Sequence, residues 1–468
     1  MNLYESEQSY KQKQEKFNKL AKCIDEIFNK DTLHSFTHQY LPYGSFRIGV
    51  KGEDVDTVFV LNEVKSNGNR TSFDETLLKV KNDSNTLNNR VVEMLETQIN
   101  TCFKDELLWC RKVQALYPII TMLFRDQTKV EIFVQIKTIK EYSDETNNQN
   151  KQNSEESIHG IHEIEHLLVH ARSPPIFQHL LAFVRTWAQN VGLYGQVFSY
   201  LGGFSWATLC AHICHSFLSP IDSLSTIEHF SIDDFFALVY RFFSTYAQFN
   251  WTTQSLRLHP KSSVQINHLD KPSILTRGAM RIISPSPPYN NSGRATLNST
   301  RDLIVKGFQH VFDLLHTINT ITTDDKSNAL RQILQLNNDF PNEKIKTLLQ
   351  LTLSGENKKE LDEWIGWMRS RLAYFLNDCE NECRLSLQTQ SCIEYRMNNN
   401  EALYSIGFQL DENALNIQRN FHHCLNKFIE QFNVYQNRTK TMNISHKLVS
   451  AHEWKMERMQ PKPQRTRK

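Results

Sequence analysis

The sequence holds no uninterrupted apolar run approaching the ~18 residues of a membrane-spanning helix, so nothing in it predicts insertion into a bilayer. Its opening stretch, through Lys19, is polar and has no apolar core of the kind a secretory signal carries. A charge excess is missing too: 53 Lys and Arg stand against 51 Asp and Glu, for a net +2. That balance excludes an overall positive field, so any nucleic acid would be held by local basic surfaces. The 9 cysteines are odd in number and scattered along the chain. They do not form a disulfide framework, and the expectation is a reducing compartment, cytosol or nucleus. No internal repeat is visible.

What is present is a chain of 468 residues, long enough for two or three cores. Phe17, Leu20, Ala21, Ile24, Ile27 and Phe28 follow helical spacing. A Gly-Ser turn at Gly44-Ser45 then leads through a loop into the β-branched run Val55 to Leu61. Val91, Val92, Leu95, Ile99 and Cys102 predict a second helix, and Tyr117–Phe124 and Lys129–Ile136 two strands joined by a polar turn. The first 143 residues thus read as a mixed α/β unit with acidic residues at strand ends. Residues 144–156 contain no apolar side chain and read as a polar loop or insert. From 157 to 337 the pattern is mainly helical. Ser231 with Asp234 marks a helix start, and three prolines make residues 284–293 irregular. Residues 338–455 predict a small α/β domain: a helix around Trp364, Trp367 and Met368, strands near 383–396 and 402–410, and a helix over 414–432. The tail, 456–468, is basic and suits RNA phosphates, a nuclear-localisation signal or plain solvation.

One constellation carries chemistry. Side chains on a strand repeat every two residues, so Asp54 and Asp56 face the same side and can share hard cations. Glu131, between Val130 and Ile132 on a second predicted strand, supplies a third carboxylate. Such a cage suits two divalent ions ~3.5–4 Å apart that activate a hydroxyl and stabilise leaving pyrophosphate. Gly44 permits close backbone approach to a triphosphate, and Ser45 can donate to its oxygens. An Asp-x-Asp by itself is usually solvated surface; the Gly-Ser upstream and the β-branched run behind it strengthen the catalytic reading. Cys210, His212, Cys214 and His215, and separately Cys379, Cys383, Cys392, His422, His423 and Cys424, offer ligands without a zinc spacing and read as core thiols and their neighbours.

Gly-Ser, short loop, Asp-x-Asp and a distant acid on a strand resemble the polymerase-β-type nucleotidyltransferase superfamily, and within it the eukaryotic poly(A) polymerases. The blocks that carry the resemblance are YGSFRIGV with KGEDVD, SIHGIHEI, the stretch from Val184 to Cys214, and the proline-rich segment from Met280 to Phe308. They occur in the family's order, and the likeness runs from about residue 15 to 455. It implies an α/β and α+β multidomain fold: a nucleotidyltransferase palm, a helical central domain and a C-terminal domain similar to an RNA-recognition motif. It further implies Asp54, Asp56 and Glu131 as catalytic ligands of two Mg²⁺ or Mn²⁺ ions, with ATP as substrate. Tyr43, Gly44 and Ser45 would line the nucleotide. His159 would read its base, Arg185 and Tyr194 would meet the triphosphate, and Gly203 and Phe204 would pack beside adenine, in a cleft between palm and central domain. The expected partners are the single-stranded 3′ end of RNA and 3′-end processing factors, the expected state a monomer without a membrane, and the expected location the nucleus, otherwise the cytoplasm.

The sequence departs from that family at three cleft positions. Glu131 stands for Asp and is about 1.5 Å longer. Gln189 stands for a second phosphate-side Lys, and His159 for an adenine-reading Asn. These changes open two alternatives: a catalytically impaired homologue serving as an RNA-binding scaffold, and a terminal transferase with altered base preference, such as for uridylyl.

Overall fold

The computed structural model describes residues 7–28, 36–50, 54–63, 84–113, 118–137, 159–218, 230–258, 277–286, 289–318, 322–337, 344–389, 400–409, 415–435 and 438–459. The polar insert at 144–156, Cys392 and the tail beyond Met459 lie outside them. The chain forms two compact units, residues 1–182 with 284–289, and residues 183–283 with 290–468.

The first unit is a mixed sheet with α-helices packed against it. Helix α1 (Glu7–Ile27) precedes β1 (Phe36–Pro42), the short α2 (Gly44–Ile48) and β2 (Asp54–Glu63). Then follow α3 (Ser84–Cys102), β3 (Leu107–Val113), β4 (Ile119–Phe124) and β5 (Lys129–Lys137). The sheet order is β1-β2-β5-β4-β3, antiparallel except where β2 and β5 run parallel. Val55, Phe59 and Leu61 of β2, with Val130, Ile132 and Val134 of β5, bury against Leu20 and Ile24 of α1 and Val91 and Leu95 of α3. The two-residue repeat of a strand therefore sends Asp54, Asp56, Lys129, Glu131 and Phe133 to the opposite face. Where the sequence suggests a Gly-Ser turn and loop, Gly44 instead opens α2, which ends at the left-handed Gly49 (φ 80°). The edge strands β1 and β3, unforeseen from periodicity, complete the sheet. Helix α4 (His159–His170) and the first part of α5 (Pro174–Asn190) also belong to this unit; Gln178 Nε2 donates to the Ile48 carbonyl at 2.7 Å and fastens α2.

The second unit begins with the last turns of α5, followed by α6 (Gly203–Phe217), α7 (Ile232–Gln248), α8 (Asn298–Ile318) and α9 (Thr323–Gln335). Its core is aromatic: Trp187 meets Trp206 and Phe243 edge-on, and Phe308 stacks on Trp187. The capping box of Ser231 and Asp234 forms as the sequence predicts, closing the start of α7. Buried side chains hold the irregular segment, and one makes three bonds. Buried Asn291 accepts from the amides of Ile282 and Gly293, each at 2.9 Å, and donates to the Arg277 carbonyl at 2.8 Å. Asn291→Ala strands two buried amides and a carbonyl, and is expected to cost about 3 kcal/mol in urea unfolding.

The chain then turns to a four-stranded antiparallel sheet built in the order β6 (Thr347–Ser354), α10 (Lys358–Cys383), β7 (Ser386–Thr389), β8 (Glu401–Gln409), α11 (Leu415–Glu430), β9 (Asn443–Ser450). Its spatial order is β7-β8-β6-β9. A final helix, α12 (Ala451–Met459), brings Trp454 onto the sheet, where its indole N–H donates to Ser405 Oγ at 3.1 Å. Glu380 of α10 accepts from the amides of Asn298 and Ser299 at 2.7 and 2.9 Å, capping α8 with the anion its N-terminus favours. Strands β6 and β9 are additions to the sequence reading. Among the described residues, no helix is long and apolar enough to cross a membrane.

Candidate metal and nucleotide site

The parallel pairing of β2 with β5 puts Asp54 opposite Lys129 and Asp56 opposite Glu131. Thr57 Oγ1 donates to the Glu131 carbonyl at 3.0 Å and pins that register from the core side. One oxygen each from Asp54, Asp56 and Glu131 lies within 4.8 Å of the others, the only such His/Cys/Asp/Glu grouping among the described residues. Both cysteine clusters thus lack a metal geometry there: Cys210 and Cys214 are core, His212 Nδ1 pairs with the Tyr246 hydroxyl at 3.0 Å, and the sulfurs of Cys383 and Cys424 meet at 3.8 Å.

The loop side of the cage is equally close. Tyr43 N–H donates to the Asp56 carbonyl at 2.8 Å, locking the start of α2 to β2. Gly44 has φ +55°, a left-handed value, and a β-carbon there would run into the Asp56 carboxylate. Ser45 follows on α2, its carbonyl taken by the amides of Gly49 and Val50 at 3.0 and 3.2 Å. The Tyr43 ring meets Phe133 edge-on at 5.8 Å, and burial, with Glu163 and Asp56 nearby, raises its phenol well above the ordinary range.

Charge explains the rest. Burial, reinforced by Glu131 and Asp54, pushes the Asp56 carboxyl up to about 7 from 3.8, while Lys129 and Lys13 pull the other way. The ammonium of Lys129 sits 2.7 Å from both Asp54 Oδ2 and Glu131 Oε1. Burial works to lower the Lys129 pKa, but Glu131 and Asp54 outweigh it and hold the pKa above 10.5. Sequence reasoning passed over this lysine. The signal was there: Lys129 precedes Glu131 by the strand's own repeat and so shares its face.

A raised Asp56 has a sign that can be measured in metal-free protein. Its folded pKa near 7 lies above 3.8, so between those values the folded state keeps a proton that the unfolded state releases. Stability therefore falls as pH rises through that window and the full cost is present above it. A rise of that size corresponds to ~4 kcal/mol, which solvent screening reduces to roughly 2. In EDTA, Asp56→Asn is expected to be about 2 kcal/mol more stable than wild type at pH 8, the gain vanishing near pH 4. Urea unfolding at both pH values measures it.

The hard-oxygen donor set, the space that only a glycine at 44 leaves beside Asp56, and a cation already drawn between two of the carboxylates all fit divalent metal. Of the remaining predicted residues, His159 opens α4, with its side chain outside the described residues. Arg185, Tyr194, Gly203 and Phe204 belong to the second unit. There the Arg185 guanidinium lies over the Tyr194 ring at 5.6 Å, and a β-carbon on Gly203 would meet the Tyr194 hydroxyl at 2.8 Å. Gly203 and Phe204 form the first turn of α6 behind Gly202, so these four residues gather at one helix N-terminus and the end of α5. Gln189 is exposed near that end.

Residues 176–330 match the family model described as the poly(A) polymerase central domain. A poly(A) polymerase of Dictyostelium discoideum is 24% identical over 401 residues, covering 81% of this chain and 44% of that protein. Nuclear poly(A) polymerase 1 of Arabidopsis thaliana is 28% identical over 204 residues, 42% of this chain and 25% of its own length. The chain thus spans less than half the length of these curated relatives. Among solved structures, the Cid1 poly(U) polymerase with Mg 3′-dATP aligns at a TM-score of 0.46 and 16% identity, over 66% of this chain and 90% of that one.

Proposed function

We propose that this chain, a relative of the poly(A) polymerases through the region 176–330 and more distantly beyond it, is a template-independent nucleotidyltransferase that adds AMP from ATP to the 3′ end of single-stranded RNA. The observation that carries the reading is the convergence of Asp54, Asp56 and Glu131 beside Gly44. These carboxylates would hold two Mg²⁺ or Mn²⁺ ions, which when bound supply charge neutralisation and Lewis acidity for phosphoryl transfer. The chain's own share is positioning. Asp54 and Asp56 present their oxygens from one strand face, and Glu131 closes the cage from the neighbouring strand. Gly44 leaves room at Asp56, and the Ser45 hydroxyl, one residue on in α2, would donate to phosphate oxygens. Arg185 and Tyr194 would meet the triphosphate, His159 the base, and Gly203 and Phe204 the adenine ring.

The βαββαβ order of β6 to β9, a split βαβ arrangement, supports reading this part as the RNA-recognition-motif-like domain that would hold RNA. A nuclear role in mRNA 3′-end formation with processing factors belongs to this same reading.

A second reading, an impaired homologue that binds RNA as a scaffold, draws on one observation: Lys129 already bridges two of the three carboxylates. Extension of a labelled oligo(A) primer separates the two, with each NTP supplied alone under Mg²⁺ or Mn²⁺. ATP-dependent extension establishes the enzyme, preference for another NTP redirects it to that nucleotide, and RNA binding without extension leaves the scaffold.

A further inference from the structure

The cation within the triad is part of the protein. Lys129 Nζ stands at hydrogen-bond distance, 2.7 Å, from Asp54 and from Glu131, with its own side chain 35% exposed and the carboxylates 26% and 24% exposed. Its place follows from the fold. Lys129 opens β5 directly opposite Asp54, on the same sheet face as Glu131, so the ammonium has a short reach to both acids. The two oxygens it holds come from residues whose carboxylates, with Asp56, make the cage.

We propose that Lys129 is a tethered counter-ion that occupies a cation position of the triad and must leave it before that position takes a divalent ion. The inference rests on the reading of the triad as a metal centre and adds how that centre is loaded. One ammonium against three carboxylates leaves a charge that a single divalent ion neutralises, so a first ion binds with Lys129 in place and a second requires its displacement. The displaced ammonium, on a flexible four-carbon stem, is then a cation beside the triad for an anionic group arriving with that second ion. Loading of the second metal position is thereby coupled to the arrival of an anionic substrate.

The test is Mn²⁺ titration by calorimetry on the whole protein, comparing wild type with Lys129→Met and Lys129→Arg, and Asp56→Ala as blank. Lys129→Met is expected to bind Mn²⁺ about tenfold or more tightly than wild type, because it removes a unit charge in direct contact with two ligands. Lys129→Arg, which keeps the charge, stays near the wild-type affinity. A lysine whose part is to hold the carboxylates in their metal-binding arrangement would loosen metal binding when lost. Thermal melting guards against a misfolded variant: Lys129→Met melts lower than wild type in EDTA, and saturating Mn²⁺ closes the gap. Equal or weaker Mn²⁺ affinity in Lys129→Met, with wild-type binding still abolished by Asp56→Ala, overturns the role of Lys129 and leaves the metal centre standing. Wild-type Mn²⁺ binding that persists in Asp56→Ala overturns the metal centre itself.

Discussion

Asp54→Ala and Asp56→Ala should each abolish nucleotide transfer, by at least ~10³-fold, while the protein still folds. The two halves of that result come from opposite faces of one strand. Val55, Phe59 and Leu61 of β2 lie in the core and hold the sheet to α1 and α3. Asp54 and Asp56 point away from it, so their removal leaves the packing intact. Removal of Asp56 even relieves a carboxyl that burial and two neighbouring acids push up to about 7. What is lost is the oxygen set for metal, and phosphoryl transfer relies almost wholly on positioning and charge neutralisation. Primer extension with ATP, alongside circular-dichroism melting, measures both. A variant that folds and still extends the primer removes the triad from the mechanism.

Gly44→Ala is expected to lower transfer by ~10²-fold or more and weaken Mn²⁺ binding in parallel, although the substitution adds a single methyl group. Two independent costs meet there. The backbone at Gly44 is left-handed, φ +55°, which costs a residue with a β-carbon roughly 1–2 kcal/mol. The new carbon also runs into the Asp56 carboxylate, and the Asp56 backbone is tied to this same loop by the Tyr43 amide on its carbonyl. Either α2 or the Asp56 side chain must shift, and a displacement near 1 Å is enough for a loss of that size. Stopped-flow or steady-state extension assays read the rate, and calorimetry reads the metal. Wild-type rate and affinity in Gly44→Ala would show that the short helix can move aside and that its closeness to Asp56 serves no catalytic purpose.

Several features of the site were open to a reader of the sequence because they are local. Asp54 and Asp56 share a face through the strand repeat alone, and Val130-Glu131-Ile132 announces an acid with a buried neighbour on either side. The capping box at Ser231 and Asp234 is legible for the same reason, spanning four residues of one helix turn. Strand β6 was missed although its signal is local: Leu349-Gln350-Leu351-Thr352-Leu353-Ser354 alternates apolar and polar as a half-buried strand does. β9 was not legible: mostly exposed, it carries too few apolar residues to mark a strand.

The sequence by itself determined the chemical types at the site, three carboxylates and a glycine-serine pair, and the faces on which strand residues stand. Tertiary structure alone decided that β2 and β5 lie side by side and parallel, in the register that pairs Asp56 with Glu131. It likewise decided that Lys129 reaches two of the three acids and that Gly44 has no room for a β-carbon. The physical reason is range. Side-chain direction along a strand is set by the backbone of its nearest neighbours, whereas sheet order and register are settled by how α1, α3 and the two strands close one core.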